Sequence, residues 1–447
     1  MSEMSPQPDG APTAPEQEVV RICRDLLRID TSNYGPGQDG PGEREAADYV
    51  VAQLREVGLE PQVFESEPGR TTVTVRVAGA DRDRGALCIH GHLDVVPAHA
   101  EDWSVPPFDG VERDGCLWGR GAVDMKDMVA MMLAVFRARA REGRPPARDV
   151  VLAFFADEEA GGELGAGWMV RHRPELFTGA TEAISEVGGF SVEVAGRRAY
   201  LLQVAEKGLA WLRLVARGRA GHGSFVNPDN AVTHLAEAVA RIGRHAWPLE
   251  LTESTTALLR GVAELTGLPF DPEDPSSVEA LLEALGPAGR FVGTTVRHST
   301  NPTGLTAGYK ANVVPSRAEA VVDMRFLPGL ETEADDVVAK LAGPGVDVED
   351  LYRNRALEAP LDAAIVDAMT TALLAEDPGA AVLPYMLSGG TDNKHLAELG
   401  ITGYGFAPLR LPSNLDFAAM FHGVDERVPV DALRFGVRVL DRFLDVC

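Results

Sequence analysis

Three stretches of the chain set metal-ligating and proton-transferring side chains at the ends of apolar runs. The first is ALCIHGHLDVVP, residues 86–97. Side chains alternate along a strand, so residues two apart share a face. His92 and Asp94 therefore point the same way at the strand's C-terminal edge, where open α/β sheets bind ligands. A His with a carboxylate two residues on suits a metal ligand and its orienting partner. A buried strand-end His beside a turn Asp accounts for the same letters. The second stretch is WGRGAVDMKD, residues 118–127. Gly119 and Gly121 allow tight backbone geometry before Asp124, and a helix starts at Lys126. Asp124 reads there as a helix cap or as a ligand on a glycine-rich loop. The third is VVLAFFADEEAGG, residues 150–162, an apolar strand ending in Asp157, Glu158 and Glu159. Three adjacent carboxylates capping a buried strand repel one another and are costly unless something cationic neutralises them.

These ends must be held by elements that the hydrophobic pattern marks. Val19, Ile22, Cys23, Leu26 and Leu27 recur at helical spacing, as do Ala46, Ala47, Val50, Val51 and Leu54. Runs at 71–77, 86–90 and 150–156 are rich in β-branched or aromatic residues and bounded by turn formers, which predicts strands. Residues 126–141 read as a helix between two of them. Such alternation means an α/β layered sheet. Near Glu206 the pattern changes to a strand at 211–216 and a helix at 230–242. The Pro- and Asp-rich PFDPEDPSS, a small helix and a strand at 318–326 follow. After Pro328 the helix–strand alternation resumes, ending in a helix at 430–446. The expected architecture is a discontinuous α/β domain, residues 16–205 and 329–447, with a smaller α+β domain inserted at 206–328. A loose Pro-, Gly- and Ser-rich tail is expected at 1–15.

Composition narrows the function classes. The 447 residues are 24% charged and 45% hydrophobic, a globular balance that excludes a disordered or fibrous chain. The net charge of −25 repels phosphate backbones and anionic lipid, so neither nucleic acid nor a membrane is the expected partner. Cys23, Cys88, Cys116 and Cys447 form no C-x-x-C pair and read as reduced thiols of a cytoplasmic protein. Gly35, Gly37 and Gly40 satisfy G-x-G-x-x-G but follow a helix and are interleaved with Pro36 and Pro41. They read as a loop, because a dinucleotide site needs strand–turn–helix context.

HGHLDVVP, GRGAVDMK and ADEEAGG, in this order and spacing, resemble the M20 family of metallopeptidases, which are co-catalytic zinc aminoacylases, carboxypeptidases and desuccinylases. AISEVGGF, AGHGSFVNPDNA, AGYKANVVPSRAEAVVDMRFLPG, SGGTDNKHLAELGITGYGFAP and MFHGVDERV extend the likeness across residues 16–446. The resemblance implies an α/β/α catalytic domain with a mixed central sheet and an inserted lid and dimerisation domain. It implies two divalent metal ions bridged by Asp124. One would also be held by His92 and Glu186, the other by Glu159 and His422. Zinc is the expected metal, and manganese or cobalt accept the same donors.

Glu158 matches the family's general base, and Asp94 the residue that orients His92. His222 matches a His that reaches the partner's active site in dimeric relatives, which implies a homodimer through the inserted domain. Asn312 and Arg325 match positions that bind the substrate's carboxylate, with an Arg325–Asp323 ion pair as the alternative reading. Gly389 and Gly390 match a loop that lets substrate approach the backbone. The peptide bond after Asp124 is expected to be cis. Lys126, Lys207 and His395 read as structural. Two departures stand out: Val187 sits where relatives often have Gly or Pro, and residues 248–299 are extra sequence.

The implied function is metal-dependent hydrolysis of an amide or peptide C–N bond. The substrate expected is small and carries a free carboxylate, such as an N-acyl amino acid or a dipeptide. A catalytically silent relative that binds metal or ligand is the alternative, and it requires the loss of a ligand or base. Every such position is filled here. The substrate's acyl group and amino acid carry no readable code in the sequence.

Overall fold

Ala86–His92 is buried at every position, and so is Val150–Phe155. Strands of that kind need cover on both faces, which a parallel sheet between helical layers provides. In the computed structural model, which describes residues 14–447, the two pair in parallel with His92 opposite Phe155. Ala180–Ser185 runs parallel along the other edge of Ala86–His92, and Thr402–Gly405 parallel beyond it. Arg70–Val77 and Gln62–Glu67 close one side antiparallel. On the other side Arg197–Glu206 pairs with Phe190–Val194, Ala381–Leu387 and the short Leu357–Glu358, completing a ten-stranded mixed sheet. The expected α/β class with a mixed central sheet is the class observed. Of the expected tail, residues 1–13 lie outside the described residues, and Pro15 already opens the first helix.

The helix Lys126–Glu142 connects Ala86–His92 to Val150–Phe155 and is buried along most of its length between the sheet and the helices Pro15–Leu27 and Val430–Val446. Two charged groups are enclosed at these contacts. Lys126 Nζ donates to the carbonyls of Leu26 and Ile29 at 3.1 and 2.7 Å, which satisfies the end of the first helix and bears out its structural role. Glu18 accepts from Arg137 Nε at 2.7 Å and from both Arg141 terminal nitrogens at 2.7 and 2.8 Å. Burial alone would raise the Glu18 carboxyl, but the two guanidiniums outweigh it and hold the group below its ordinary value.

A second, four-stranded antiparallel sheet has the order Ser299–Ala307, Arg317–Phe326, Gly208–Arg217, Val346–Asn354. Arg317–Phe326 alternates, with Ala318, Ala320, Val322, Met324 and Phe326 buried on one face. That face packs under the helices Ala231–Gly243 and Glu331–Ala342. Asn230 caps the first of these, its side chain accepting from Val232 N at 2.9 Å. The opposite face carries Trp211, Arg325 and Tyr352.

This sheet corrects the expected domain boundary in two places. Val346–Asn354 supplies the second edge of Gly208–Arg217, so the smaller unit runs on to residue 354 rather than ending at 328. Pro328 and Gly329 mark only a turn between a strand and a helix of the same unit. Residues 253–296, within the expected insertion, instead form helices (Glu253–Thr266, Pro275–Ala284, Pro287–Val292) whose Leu258, Leu259, Val262, Leu281 and Val292 join the large sheet's core. Apolar spacing marks a buried face but does not say which sheet buries it.

The Glu18 contacts generate a stability prediction. Glu18→Ala leaves Arg137 buried without its carboxylate and is expected to cost about 3–5 kcal/mol in urea unfolding near neutral pH. Because the folded-state value is depressed, this contribution exists above the unfolded carboxyl's value and fades as pH falls through the folded one. The gap between wild type and variant should therefore close in acid.

Candidate metal centre

The three central parallel strands end side by side, and each delivers acid or imidazole at its C-terminal edge. His92 closes Ala86–His92, Glu158 and Glu159 follow Val150–Phe155, and Glu186 follows Ala180–Ser185. Asp124 enters from the loop before the helix that joins the first two strands, and its peptide bond to Met125 is cis. His422 comes from the loop ahead of the C-terminal helix, with φ at +57°. These six residues converge. His92, Asp124 and Glu186 offer one ligand atom each within 4.8 Å of one another, and so do Asp124, Glu159 and His422.

Asp124 is shared, one oxygen to each group. Its Oδ1 lies 3.1 Å from His92 Nε2, and its Oδ2 lies 3.3 Å from His422 Nε2. Glu186 Oε2 is 3.6 Å from His92 Nε2, and Glu159 Oε2 is 3.0 Å from His422 Nε2. Ligands 2.0–2.2 Å from a tetrahedral ion are separated by roughly 3.3–3.6 Å. Two of the four spacings fall in that range and the other two, at 3.0 and 3.1 Å, lie just below it, and the imidazole-plus-carboxylate donor set is one that zinc accepts.

The electrostatics make the same test. His92 Nδ1 is 2.9 Å from the Asp94 carbonyl, which can only accept, so Nδ1 carries the proton. In a neutral ring Nε2 then turns a lone pair toward two carboxylates, an arrangement that needs a cation between them. Burial would lower the His92 value, yet Glu186, Asp124 and Asp94 raise it well above the ordinary range. Hydrogen bonds to Asp124 and Glu159 raise His422 to about 10. Among the acids, burial pushes Glu158, Glu159 and Glu186 up, with Glu186 at about 7. Repulsion from Glu186 adds to the shift of Glu158. Asp124, by contrast with these three, is held low, because two imidazoles outweigh its burial.

Behind these side chains is a buried polar frame. The Asp94 carboxylate accepts from Glu158 N and Glu159 N at 3.1 Å each, and from Asn33 Nδ2 at 2.9 Å. It sits 3.5 Å from His92 Nδ1, farther than its own carbonyl does. Asp94 thus steers His92 through its backbone and fixes the Glu158–Glu159 turn through its side chain. Glu426 was not legible as a site residue, since a lone acid in a polar stretch has no spacing signal. Fully buried, it accepts from Val123 N at 2.7 Å, Gly121 N at 3.0 Å and Asp124 N at 3.2 Å, and pairs with Arg120 at 2.7 Å. It holds the glycine-rich loop that presents Asp124. Val187 has φ at +50°, a region where glycine is at ease and a β-branched residue is strained. Its carbonyl is fastened by the Tyr385 hydroxyl.

Above the acids is a cavity of about 370 Å³. Asp124, Glu158, Glu159, Glu186 and His422 line its floor, and Trp211, Arg325 and Tyr352 on the uncovered face of the smaller sheet line its roof. Gly389 and Gly390 border it, as do Asp392 and Lys394, which sequence reasoning did not single out. Arg325 also makes the alternative pair, donating to Asp323 at 2.7 and 3.1 Å. Lys207 Nζ donates to the carbonyls of Thr294 and Arg297, and His395 lies 2.9 Å from the Gly161 carbonyl. His222 and Asn312 are not brought to this cavity. Both are exposed on the short strand pair Gly221–His222 and Val313–Val314 and its connecting loop, where Gly223 N donates to the Asn312 carbonyl.

The family model for Peptidase family M20/M25/M40 matches residues 88–446. The chain belongs to this family. It is accordingly a hydrolase of the peptidase and amidohydrolase class, whose metal-dependent chemistry cleaves amide C–N bonds. It is similar to aminoacylase-1 of Homo sapiens, 26% identical over 442 residues, covering 96% of each chain. It is also similar to the N-fatty-acyl-amino acid synthase/hydrolase of Xenopus tropicalis, 26% identical over 444 residues and covering 94% of this chain and 84% of that one. Among solved structures, an M20 family metallo-carboxypeptidase from Sulfolobus solfataricus superposes with a TM-score of 0.71 at 19% identity. It covers 96% of this chain and 99% of its own.

A cluster of mutually repelling acids is expected to weaken the fold when no cation is supplied. In chelator at about pH 8, Glu186→Gln should be more stable than wild type by on the order of 1–3 kcal/mol, because a carboxyl raised in the folded state costs stability above that value. Added zinc should raise the melting temperature of wild type more than that of the variant. Calorimetry under both conditions checks the reversal.

Proposed function

We propose that this chain is a dinuclear metal-dependent hydrolase of an amide C–N bond in a small substrate that carries a free carboxylate. The observation that carries the reading is Asp124, whose two oxygens face two different imidazoles, each beside its own further carboxylate. His92, Asp124 and Glu186 would hold one ion, and Asp124, Glu159 and His422 the other, with zinc the metal we favour for this donor set. When bound, the ions supply Lewis acidity to the scissile carbonyl and acidify the attacking water.

The chain's own groups do the rest. Glu158 is within 4.0 Å of His92 Nε2 but belongs to neither ligand group, which leaves its carboxylate free to move a proton. It takes the proton of the attacking water and delivers it to the leaving nitrogen. Asp94 keeps the Glu158 turn in place. Arg325 on the roof suits a substrate carboxylate in two-point contact, and the Gly389–Gly390 loop lets the substrate's backbone approach closely. The names of the aminoacylase and fatty-acyl amino acid relatives support an N-acyl amino acid as the substrate class.

A homodimer is part of this reading. Phe225, Val226, Leu305 and Tyr309 are exposed on the smaller unit, in the same region as His222 and Asn312. A partner docked there would cover them and could bring His222 and Asn312 to the other chain's cavity, where His222 would stabilise the tetrahedral oxyanion. A cytoplasmic location is also part of it, supported by four unpaired cysteines. No described helix is long and apolar enough to cross a membrane.

Glu158→Ala is expected to retain two equivalents of zinc by elemental analysis while turnover of N-acyl amino acids falls by roughly 10²-fold or more. Near-normal turnover would remove Glu158 from the role of base. Mixing His222→Ala chains with Glu158→Ala chains should restore part of the activity, since one site of each heterodimer is then complete. No recovery in heterodimers shown to form rejects the crossing of His222.

A further inference from the structure

We propose that Lys394 is a further specificity-determining residue, an ammonium that binds the substrate's carboxylate together with Arg325. The inference rests on the amide-hydrolase reading above and deepens it. Lys394 sits on the short helix Asn393–Leu396, just after the Gly389–Gly390 loop, and it lines the metal pocket although it is only 3% exposed. Lysines are almost never enclosed to that degree unless their charge is paired. An ammonium has three donors. Among the described residues one acceptor is in reach, the Lys207 carbonyl at 2.7 Å. The nearest carboxylate, Glu206, stays 3.9 Å away, and both of its oxygens are already taken. Oε1 accepts from Thr391 Oγ1 at 2.6 Å and from Gln203 Nε2 at 3.1 Å, and Oε2 accepts from Thr391 N at 3.1 Å. Donors of Lys394 are thus left over at the border of the cavity.

Gly390 leaves the ammonium its place. A Cβ there would crowd Lys394 Nζ and lie 2.8 Å from its Cε, so any side chain in the loop would push the lysine away from the cavity's edge. The charges on this side also lack an anion. Arg325 is paired before a substrate arrives, since Asp323 accepts from its Nε at 2.7 Å and its Nη2 at 3.1 Å. Lys207 is fully buried nearby and has only the carbonyls of Thr294 and Arg297 as acceptors. Three cations, Arg325, Lys207 and Lys394, therefore face two carboxylates, Asp323 and Glu206. Burial pushes both lysines down, Lys394 to about 8 and Lys207 to about 7, and Arg325 adds to each shift. A carboxylate held between Lys394 and Arg325 supplies the missing negative charge. In an N-acyl α-amino acid that carboxylate is carried by the carbon next to the scissile nitrogen, so its anchor must share a cavity with the base. Lys394, Arg325 and Glu158 line the same one.

The test compares an N-acyl amino acid with its carboxamide on the zinc-loaded full chain. Lys394→Met should lower the carboxylate-to-carboxamide ratio of kcat/KM about ten-fold or more, the loss expected when a charged hydrogen-bond donor is removed. Most of that loss should fall on KM rather than kcat, and Lys394→Arg should restore part of the ratio. Melting curves show which variants are folded. Lys394→Gln, which keeps a donor for the Lys207 carbonyl but no charge, serves if Lys394→Met is not. A folded variant that loses equally on both substrates, or loses nothing, overturns the proposal, because Lys394 then only holds the Lys207 carbonyl. Calorimetric binding of the two ligands to Glu158→Ala protein separates this proposal from the hydrolase reading. A preference for the carboxylate that shrinks about ten-fold or more in Glu158→Ala/Lys394→Met supports the role of Lys394 even if wild type cleaves neither ligand, in which case the hydrolase reading fails alone. Equal affinity for carboxylate and carboxamide, or no binding of either, overturns the role of Lys394.

Discussion

Carboxylates gathered at the ends of buried strands repel one another, and that repulsion is the constraint around which this protein is organised. Asp124, Glu158, Glu159 and Glu186 are brought to one floor with two imidazoles among them. Nothing in the hydrophobic core gains from this. Three of the four acids are pushed upward by burial, as expected where charge is withdrawn from water without enough opposite charge nearby. An arrangement of this cost persists when something cationic completes it, and proteins accept local frustration of this kind at sites of function.

Holding such a cluster takes a rigid frame, and the frame is of two kinds. Strand order does the coarse work: with Val150–Phe155, Ala86–His92 and Ala180–Ser185 adjacent and parallel, their C-terminal ends cannot be far apart. Buried acids do the fine work through backbone N–H groups. Glu426 grips the loop that presents Asp124, and Asp94 grips the turn that presents Glu158 and Glu159. Each is itself held by an oppositely charged or amide side chain, Arg120 for Glu426 and Asn33 for Asp94. A loop tied by several hydrogen bonds to one buried carboxylate keeps its ligand oxygen in place more closely than a loop packed by apolar contacts alone.

The rest of the molecule closes the site from above and from the side. The four-stranded sheet turns its covered face to its own helices and its bare face, with Arg325, Trp211 and Tyr352, to the acids. The helices of residues 253–296 pack on the large sheet and place Phe291 in the wall of the metal pocket.

Much of this was legible in the residues. Fully apolar runs ending in His or acid announced parallel strands with a site at their tips, because such runs need cover on both faces and leave only their ends for chemistry. The motifs carried His92, Asp124, Glu158, Glu159, Glu186 and His422 into one constellation, and those six do meet. What spacing could not show was which sheet buries an amphipathic element. The boundary expected at residue 328 therefore fell inside a unit that continues to 354, and the extra sequence proved to be core of the large sheet. Nor could it show Glu426 or Asn33, whose work is done by hydrogen bonds to partners far away along the chain. Hydrophobic period and motif order are local properties, so the chain alone determined the element types and the reactive groups. Pairing partners, buried hydrogen bonds and cavities depend on which distant segments touch, and only the tertiary structure decided them.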